Sequence, residues 1–181
     1  MKITGKAIVS LICAAAAAKT AEVLLTAAAG VTDSTAAKRQ KTRGGGPGTV
    51  DTAALNAASG GGQSQAGQQA LQLCNQQRAA SGLSPLTWSQ DLANCGAVRA
   101  QELVSSFSHT RPNGSDWYTV NSGIMYAENL GHNFNSAQGV VQGWMNSPSH
   151  KANILDGSFR TCGIAAHVAG GSWYWAQEFG Y

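Results

Sequence analysis

The stretch CGIAAHVAGGSWYWAQEFGY, residues 162–181, decides the fold class of this chain. Apolar and polar residues alternate through residues 163–168 and again through residues 172–181, a pattern that is typical of β-strands. The dipeptide Gly170-Gly171 between the two runs indicates a tight hairpin turn. The alternation places Trp173, Trp175 and Phe179 on one face of the last strand, so the chain is predicted to end in an antiparallel hairpin with one aromatic face.

Helical patterns precede this hairpin. Apolar residues recur at helical spacing through residues 68–81, and Gly82 is expected to end that helix. Thr87 followed by Gln90 has the pattern of a capping box, which predicts a second helix that runs to about Ser106.

Two more helices are predicted nearer to the hairpin. A third helix is expected to start near Ser136, and Ser147-Pro148 has the pattern of an N-cap followed by proline at the first helical position. This places His150 in the first turn of a short fourth helix. Helices followed by a hairpin in one short chain indicate an α+β sandwich, with helices on the faces of a small sheet.

The N-terminal part of the chain has a different composition. Lys2 and Lys6 precede an apolar run, so residues 1–30 are predicted to be a secretory signal peptide. Residues 31–66 contain no aromatic residue and are rich in Ala, Gly, Gln and Thr, which predicts a disordered linker. The folded domain is therefore expected at residues 67–181. Charges interrupt the N-terminal apolar runs, which stay shorter than the roughly 20 residues of a membrane span, so we expect a secreted, extracellular protein.

The charge balance of the domain argues against nucleic acid as a partner. From residue 67 on, the basic residues are Arg78, Arg99, Arg111, Lys151 and Arg160, and the acidic residues are Asp91, Glu102, Asp116, Glu128, Asp156 and Glu178. Such a domain is nearly neutral and lacks the basic face that nucleic acid requires. The excess positive charge lies upstream, partly in residues 38–43, where it acts as a solubilising tail or contacts anionic envelope polymers.

Three cysteines remain once Cys13 leaves with the signal peptide. If the first two helices are antiparallel and joined by a short connection, Cys74 and Cys95 lie at similar height, and a disulfide between them is feasible. This pairing is the prediction, and Cys95 with Cys162 is its rival. Either pairing leaves one thiol free.

Candidate chemistry rests on His109, Glu128 and His150. Two imidazoles and one carboxylate are suitable ligands for zinc, with an open position for water or substrate. No HExxH or CxxC spacing is present, so the spacing alone is a weak metal signal. Ser147 lies near His150, but without a GxSxG motif its expected role is to cap the helix.

Across residues 71–181 the chain resembles the CAP superfamily, which comprises cysteine-rich secretory proteins, antigen 5 and pathogenesis-related group-one proteins. It is most similar to the compact bacterial members with an SCP domain. The motifs that carry the resemblance are CNQQRAASGL, LTWSQDLANCGAVRAQEL, FSHTRPNG, YAENLG, WMNSPSHKANIL, CGIAAHV and YWAQEFGY. The resemblance implies a three-layer α-β-α sandwich and a secreted protein.

The resemblance also implies a cleft with two histidines and two acidic residues. By motif, His109 and His150 match the two histidines and Glu128 matches the first glutamate, whereas Ser147 stands where the second glutamate is usual. Divalent metal, with zinc as the expected ion, would then be held by His109, Glu128 and His150.

Two functional hypotheses follow from these observations. The first is a non-enzymatic secreted module whose cleft binds zinc and a small apolar ligand or a component of the cell envelope. The second is a zinc-assisted extracellular hydrolase that uses Glu128 as general base. No nucleic acid and no membrane span in the mature protein are expected, and a monomer is predicted.

Overall fold

The computed structural model describes residues 33–39, 48–51, 54 and 64–181. The predicted signal peptide, residues 1–30, lies outside the described residues, as does most of the predicted linker. The helices are α1 Ser64–Ala80, α2 Gln90–Glu102, α3 Ala137–Asn146 and α4 Pro148–Ile154, with a 3₁₀ helix at Trp117–Val120. The strands are β1 Asp33–Lys38, β2 Thr87–Trp88, β3 Ala127–His132, β4 Thr161–Ala169 and β5 Ser172–Gly180.

The strands form one five-stranded sheet in the order β1-β3-β5-β4-β2. All neighbours are antiparallel except β2 and β4, which run parallel. The predicted hairpin is confirmed as β4 and β5, and its turn is made by Gly170 and Gly171 with φ of 57° and 80°. Both angles lie in the left-handed region that glycine adopts without steric strain, which explains the two consecutive glycines.

Helices cover both faces of the sheet. On one face, α1, α3 and α4 bury apolar side chains against Trp175, Phe179 and their neighbours on β4. On the other face, α2 packs on Leu130 and Ala176. A Cβ at Gly163 would collide with the backbone of Ala93, so this glycine lets α2 approach β4 closely. The predicted α+β fold, a three-layer α-β-α sandwich, is confirmed.

The local sequence signals predict which segments are helical better than they predict the residue at which each helix begins. Helix α3 begins near Ser136 as predicted, and Ser136 is its N-cap, with Oγ accepting a hydrogen bond from Gly139 N at 3.1 Å. Helix α2 begins at Gln90, and its N-cap is Ser89, whose hydroxyl accepts from Leu92 N at 3.3 Å. The capping box predicted at Thr87 is therefore wrong. Thr87 lies in β2, where its amide donates to Arg160 O at 2.9 Å.

The prediction of a disordered linker is wrong for residues 33–38, which form β1 along the edge of β3. These small residues bury little apolar area, which is the quantity that composition reflects. The segment is held instead by its backbone, which forms a ladder with β3, and by the basic side chains that follow. Lys38 pairs with Asp156, and Arg39 Nε donates to Met125 O at 2.7 Å. Helix α1 also begins before the predicted domain boundary at residue 67.

The predicted disulfide is also wrong, because Cys74, Cys95 and Cys162 are all buried free thiols. Cys74 and Cys162 lie in the core on the α1 face of the sheet, whereas Cys95 lies in the core on the α2 face. The sheet therefore separates Cys95 from either partner. The error came from treating the first two helices as a hairpin, when the connection between them passes through β2 at the sheet edge. Among the described residues, no helix is long and apolar enough to cross a membrane.

Candidate functional site

His109 and Glu128 meet as predicted. His109 lies in the loop that follows α2, and Glu128 is the second residue of β3, with its side chain on the face that α2 covers. The distance between His109 Nδ1 and Glu128 Oε1 is 2.7 Å. His150 lies in the first turn of α4, near enough for the charge of His109 to lower its pKa. The three residues named from the sequence therefore lie in one region.

Glu128 is held as an anion. Its side chain is fully buried, which by itself raises the pKa. The charge of Arg99, with Nε at 2.8 Å from Oε2, and the hydrogen bond from His109 outweigh burial, so the pKa of Glu128 lies below its usual value. An ionised carboxylate only accepts hydrogen bonds. His109 Nδ1 must therefore carry the proton and donate it to Glu128.

Arg99 joins the site to a wider ionic network. Besides Glu128, its guanidinium contacts Glu102 Oε2 at 2.5 Å and Ser108 O at 2.6 Å. Glu102 in turn pairs with Arg111 at 2.8 Å. Burial alone would lower the pKa of Arg99, but the charge of Glu128 raises it above the usual value. Sequence reasoning missed Arg99, although it lies within the motif LTWSQDLANCGAVRAQEL, because no role was assigned to it there.

Asn129 links the strand to α4. Glu128 faces α2, so the next residue of β3 faces the opposite layer. There Asn129 Nδ2 donates to His150 O at 3.2 Å, and Asn129 Oδ1 accepts from Asn153 Nδ2 at 2.9 Å. Consecutive residues of the AENL motif thus position the two histidines from opposite faces of the sheet.

His150 is oriented by Ser147. The distance between His150 Nδ1 and Ser147 Oγ is 2.7 Å. Ser147 is the N-cap residue of α4, but its side chain makes no capping hydrogen bond, so the prediction that its hydroxyl caps the helix is wrong. Burial is the main reason that the pKa of His150 is lowered, and the charge of His109 adds to it. The His150 ring is consequently neutral at neutral pH.

The Nε2 nitrogens of His109 and His150 are buried without a hydrogen-bond partner. Among the described residues, the buried side-chain atoms without a hydrogen-bond partner are His109 Nε2, His150 Nε2, Thr35 Oγ1, His132 Nε2 and both carboxyl oxygens of Glu178. The backbone of Thr35 interacts with the His150 ring and offsets part of the pKa lowering, although His150 Nε2 makes no geometric hydrogen bond. Buried polar atoms are normally satisfied, so this concentration of unpaired atoms marks the cleft.

Sequence reasoning missed a second carboxylate, that of Glu178 on β5. It lies opposite Glu128 in the strand register, and its side chain is fully buried with no donor to either oxygen. Burial, followed by the charge of Glu128, raises the pKa of Glu178 well above its usual value. A signal was available, because the alternation that turns Trp175 and Phe179 to one face turns Glu178 to the other.

The free donor atoms of the two histidines are nitrogens, whereas the oxygens of Glu128 are in use. Both Nε2 atoms are unpartnered, and each ring is fixed through Nδ1 by Glu128 or by Ser147. The oxygens of Glu128 are already engaged by Arg99 and His109. No group of three or more His, Cys, Asp or Glu in the described part of the chain is placed to hold a metal ion. The donor atoms left free are thus the two imidazole Nε2 nitrogens.

The α-β-α sandwich brings His109, its partner Glu128 and His150 into one region, which is the arrangement that the resemblance to the CAP superfamily implies. The chain belongs to the cysteine-rich secretory protein (CAP) family, whose sequence profile matches residues 71–179. It is 33% identical over 116 residues to the Bacillus subtilis (strain 168) protein YkwD, a match that covers 60% of this chain and 44% of YkwD.

Solved structures agree with this assignment. An extracellular SCP-domain protein from Bacillus anthracis (strain Ames) is similar with a TM-score of 0.58 and 26% identity, over 65% of this chain and 41% of that one. An outer surface protein of Borrelia burgdorferi shares the fold with a TM-score of 0.54 and 17% identity, over 75% of this chain and 98% of that one. This chain thus spans less than half of its Bacillus relatives.

Proposed function

We propose that this chain is a secreted CAP module whose histidine cleft binds a divalent metal ion, zinc, together with a small apolar or envelope-derived ligand, without catalysing a reaction. The observation that carries the proposal is the pair of unpartnered nitrogens, His109 Nε2 and His150 Nε2. Zinc bound there would supply a Lewis-acidic centre with open coordination positions.

The surroundings of both rings support metal binding. A histidine that binds metal usually donates its second ring N–H to a carboxylate or another polar group, which fixes the ring and raises its basicity. Glu128 has this position behind His109, and Ser147 has it behind His150, each at 2.7 Å. The lowered pKa of His150 also keeps its ring neutral, as a metal ligand must be.

The contacts of Glu128 favour binding over hydrolysis. A general base near neutral pH needs a pKa near the working pH and access to a water molecule. Glu128 is fully buried, is paired with Arg99 and has a lowered pKa. A carboxylate in this state is a weak base. Its hydrogen bond with His109 Nδ1 instead fixes the orientation of the His109 ring.

The relatives support the secreted location. The Bacillus anthracis protein is described as extracellular and the Borrelia burgdorferi protein as an outer surface protein. Together with the basic and apolar pattern at residues 1–30 of this sequence, these descriptions favour export, with the ligand met outside the cell.

Isothermal titration calorimetry with zinc tests the proposal. Wild-type protein should bind zinc, and the double variant His109→Ala/His150→Ala should lose affinity by about 100-fold or more, since both ligands are removed. His167→Ala is the matched control, because His167 lies on β4 near the hairpin turn. Equal zinc binding by the wild type and the double variant, or none by either, would exclude the metal site.

A further inference from the structure

Strand β1 occupies the edge of the sheet beside the histidine cleft. It runs antiparallel to β3 from Asp33 to Lys38, with Thr35 opposite Leu130 and Ala37 opposite Glu128. Opposite residues of an antiparallel pair point to the same face, so Thr35 and Ala37 lie on the side where Glu128 and His109 meet. The segment therefore covers the cleft from the open edge of β3.

The segment is held by its backbone and by its basic end. None of residues 34–39 is fully buried, and Ser34, Thr35, Ala36 and Ala37 offer little apolar area. In addition to the ladder with β3, the backbone oxygen of Ala37 accepts from Asn153 Nδ2 at 3.2 Å. Backbone pairing with an exposed strand, together with a few side-chain contacts, is how peptides bind by strand addition.

The two basic residues have specific acceptors. Lys38 pairs with Asp156. Arg39 donates to Met125 O and Ser122 O, and its guanidinium carbon lies 4.5 Å from the ring centres of both Tyr118 and Tyr126. A carboxylate for lysine and an aromatic pair with backbone carbonyls for arginine form two adjacent subsites for basic residues.

Strand β1 covers the cleft but leaves some of its buried polar atoms without hydrogen-bond partners. Thr35 Oγ1, His109 Nε2 and His150 Nε2 are all buried and unpaired while β1 is in place. Desolvated polar atoms without partners disfavour the covered state. The contacts therefore hold the segment along its backbone and at its basic end, while the unpaired atoms at Thr35 and the two histidines oppose it, as expected of an occupant that can be exchanged.

We propose that the edge of β3 is a binding site for an extended peptide with small uncharged side chains followed by two basic residues, and that residues 33–39 are its tethered occupant. A tethered segment competes at an effective concentration of order millimolar. An external peptide of the same chemistry therefore binds the intact chain weakly, and it binds more tightly when the chain's own segment is weakened. The site needs no metal ion, so it is independent of the zinc proposal.

Fluorescence anisotropy with a labelled peptide Asp-Ser-Thr-Ala-Ala-Lys-Arg tests the inference, in buffer that contains EDTA. The chain variant Lys38→Ala/Arg39→Ala should bind this peptide at least about tenfold more tightly than the wild type, because its internal competitor is weakened. Lys151→Ala/Arg160→Ala is the matched control, since both residues are exposed and basic but lie outside the strand. Its affinity should equal that of the wild type within about twofold.

Specificity and position need separate readouts. A peptide whose Lys-Arg pair is replaced by Ala-Ala should bind at least about tenfold more weakly. Hydrogen exchange of the variant should show that the peptide protects residues 127–132. Equal peptide affinity for the wild type and the Lys38→Ala/Arg39→Ala variant, no binding by that variant, or protection elsewhere would overturn the inference. Because EDTA is present, none of these outcomes bears on zinc binding, which the calorimetry decides by itself.

Discussion

Glu128 and Glu178 lie directly opposite each other on β3 and β5, and both side chains are fully buried on the same face of the sheet. Their electrostatic environments differ. Arg99 and His109 bind Glu128 and lower its pKa, whereas Glu178 has no donor, and burial together with the charge of Glu128 raises its pKa. The pair therefore favours one negative charge, on Glu128, and one proton, on Glu178.

This asymmetry predicts the effect of Glu178→Gln on stability. The pKa of Glu178 is raised in the folded state, so the native chain keeps a proton that the unfolded chain releases above its ordinary pKa of 4.5. The free energy of unfolding contributed by this group must then fall as pH rises from that value through the folded pKa. Glutamine removes this loss. The free energy of unfolding of the variant should equal that of the wild type near pH 4.5 and exceed it at alkaline pH by about 1 kcal/mol or more.

Urea unfolding of both proteins across this pH range provides the measurement. The difference between the two curves reports Glu178 together with its interaction with Glu128, because the remaining titrations are common to both proteins. Asp91→Asn, an exposed carboxylate on α2, is the control and should leave the difference near zero at every pH. A difference that stays constant with pH would contradict the raised pKa.

A second prediction concerns Arg99, whose guanidinium pairs with Glu128. Arg99→Met keeps most of the apolar stem but leaves Glu128 without its guanidinium partner, whereas Glu102 keeps its pair with Arg111. Removal of one member of a buried ion pair typically lowers the free energy of unfolding by about 3–5 kcal/mol. Denaturant titration should show this loss, and Arg160→Met, at an exposed arginine, should cost less than about 1 kcal/mol. A loss no larger than that of the control would show that Glu128 does not depend on Arg99.

A third prediction concerns the residue that stands where the family usually has its second glutamate. Ser147 Oγ is the partner of His150 Nδ1, so Ser147→Ala releases the ring while the proposed metal ligand stays in place. Loss of such an orienting contact typically weakens metal binding by about 10–100-fold. Zinc titration of Ser147→Ala should show this drop, and the neighbouring exposed Ser149→Ala should stay within about threefold of the wild type. Equal affinities for the two variants would remove Ser147 from the metal site.

The fold was predictable because its signals are local. Strand alternation and the paired glycines at residues 170–171 define the hairpin without reference to the rest of the chain. Ser136 and Pro148 mark helix starts by their own backbone chemistry. The proximity of His109 and Glu128 was also expected, but from the resemblance to the CAP superfamily rather than from periodicity.

The parts that were missed depend on which face of the sheet a residue occupies. Cys74 and Cys95 have compatible heights along two helices, yet the sheet lies between them. Strand β1 has no apolar pattern, since its pairing uses backbone atoms and the ends of Lys38 and Arg39. Glu178 became significant only when the register placed it opposite Glu128. Sequence spacing along one element does not determine such relations between layers.

The thiols provide a last prediction, which separates the observed fold from the disulfide that the sequence suggested. Burial raises the pKa of Cys74 to about 12 and raises those of Cys95 and Cys162 as well. Since the thiolate is the reactive species, all three should resist iodoacetamide in the native protein and react once it is unfolded in guanidinium without reductant. Peptide mass spectrometry distinguishes the three sites. A Cys95 that stays unlabelled after unfolding until reductant is added would mean that it is disulfide-bonded, which contradicts its separation from Cys74 and Cys162 by the sheet. Labelling of Cys95 without reductant supports that separation, because in either predicted pairing this thiol is a partner.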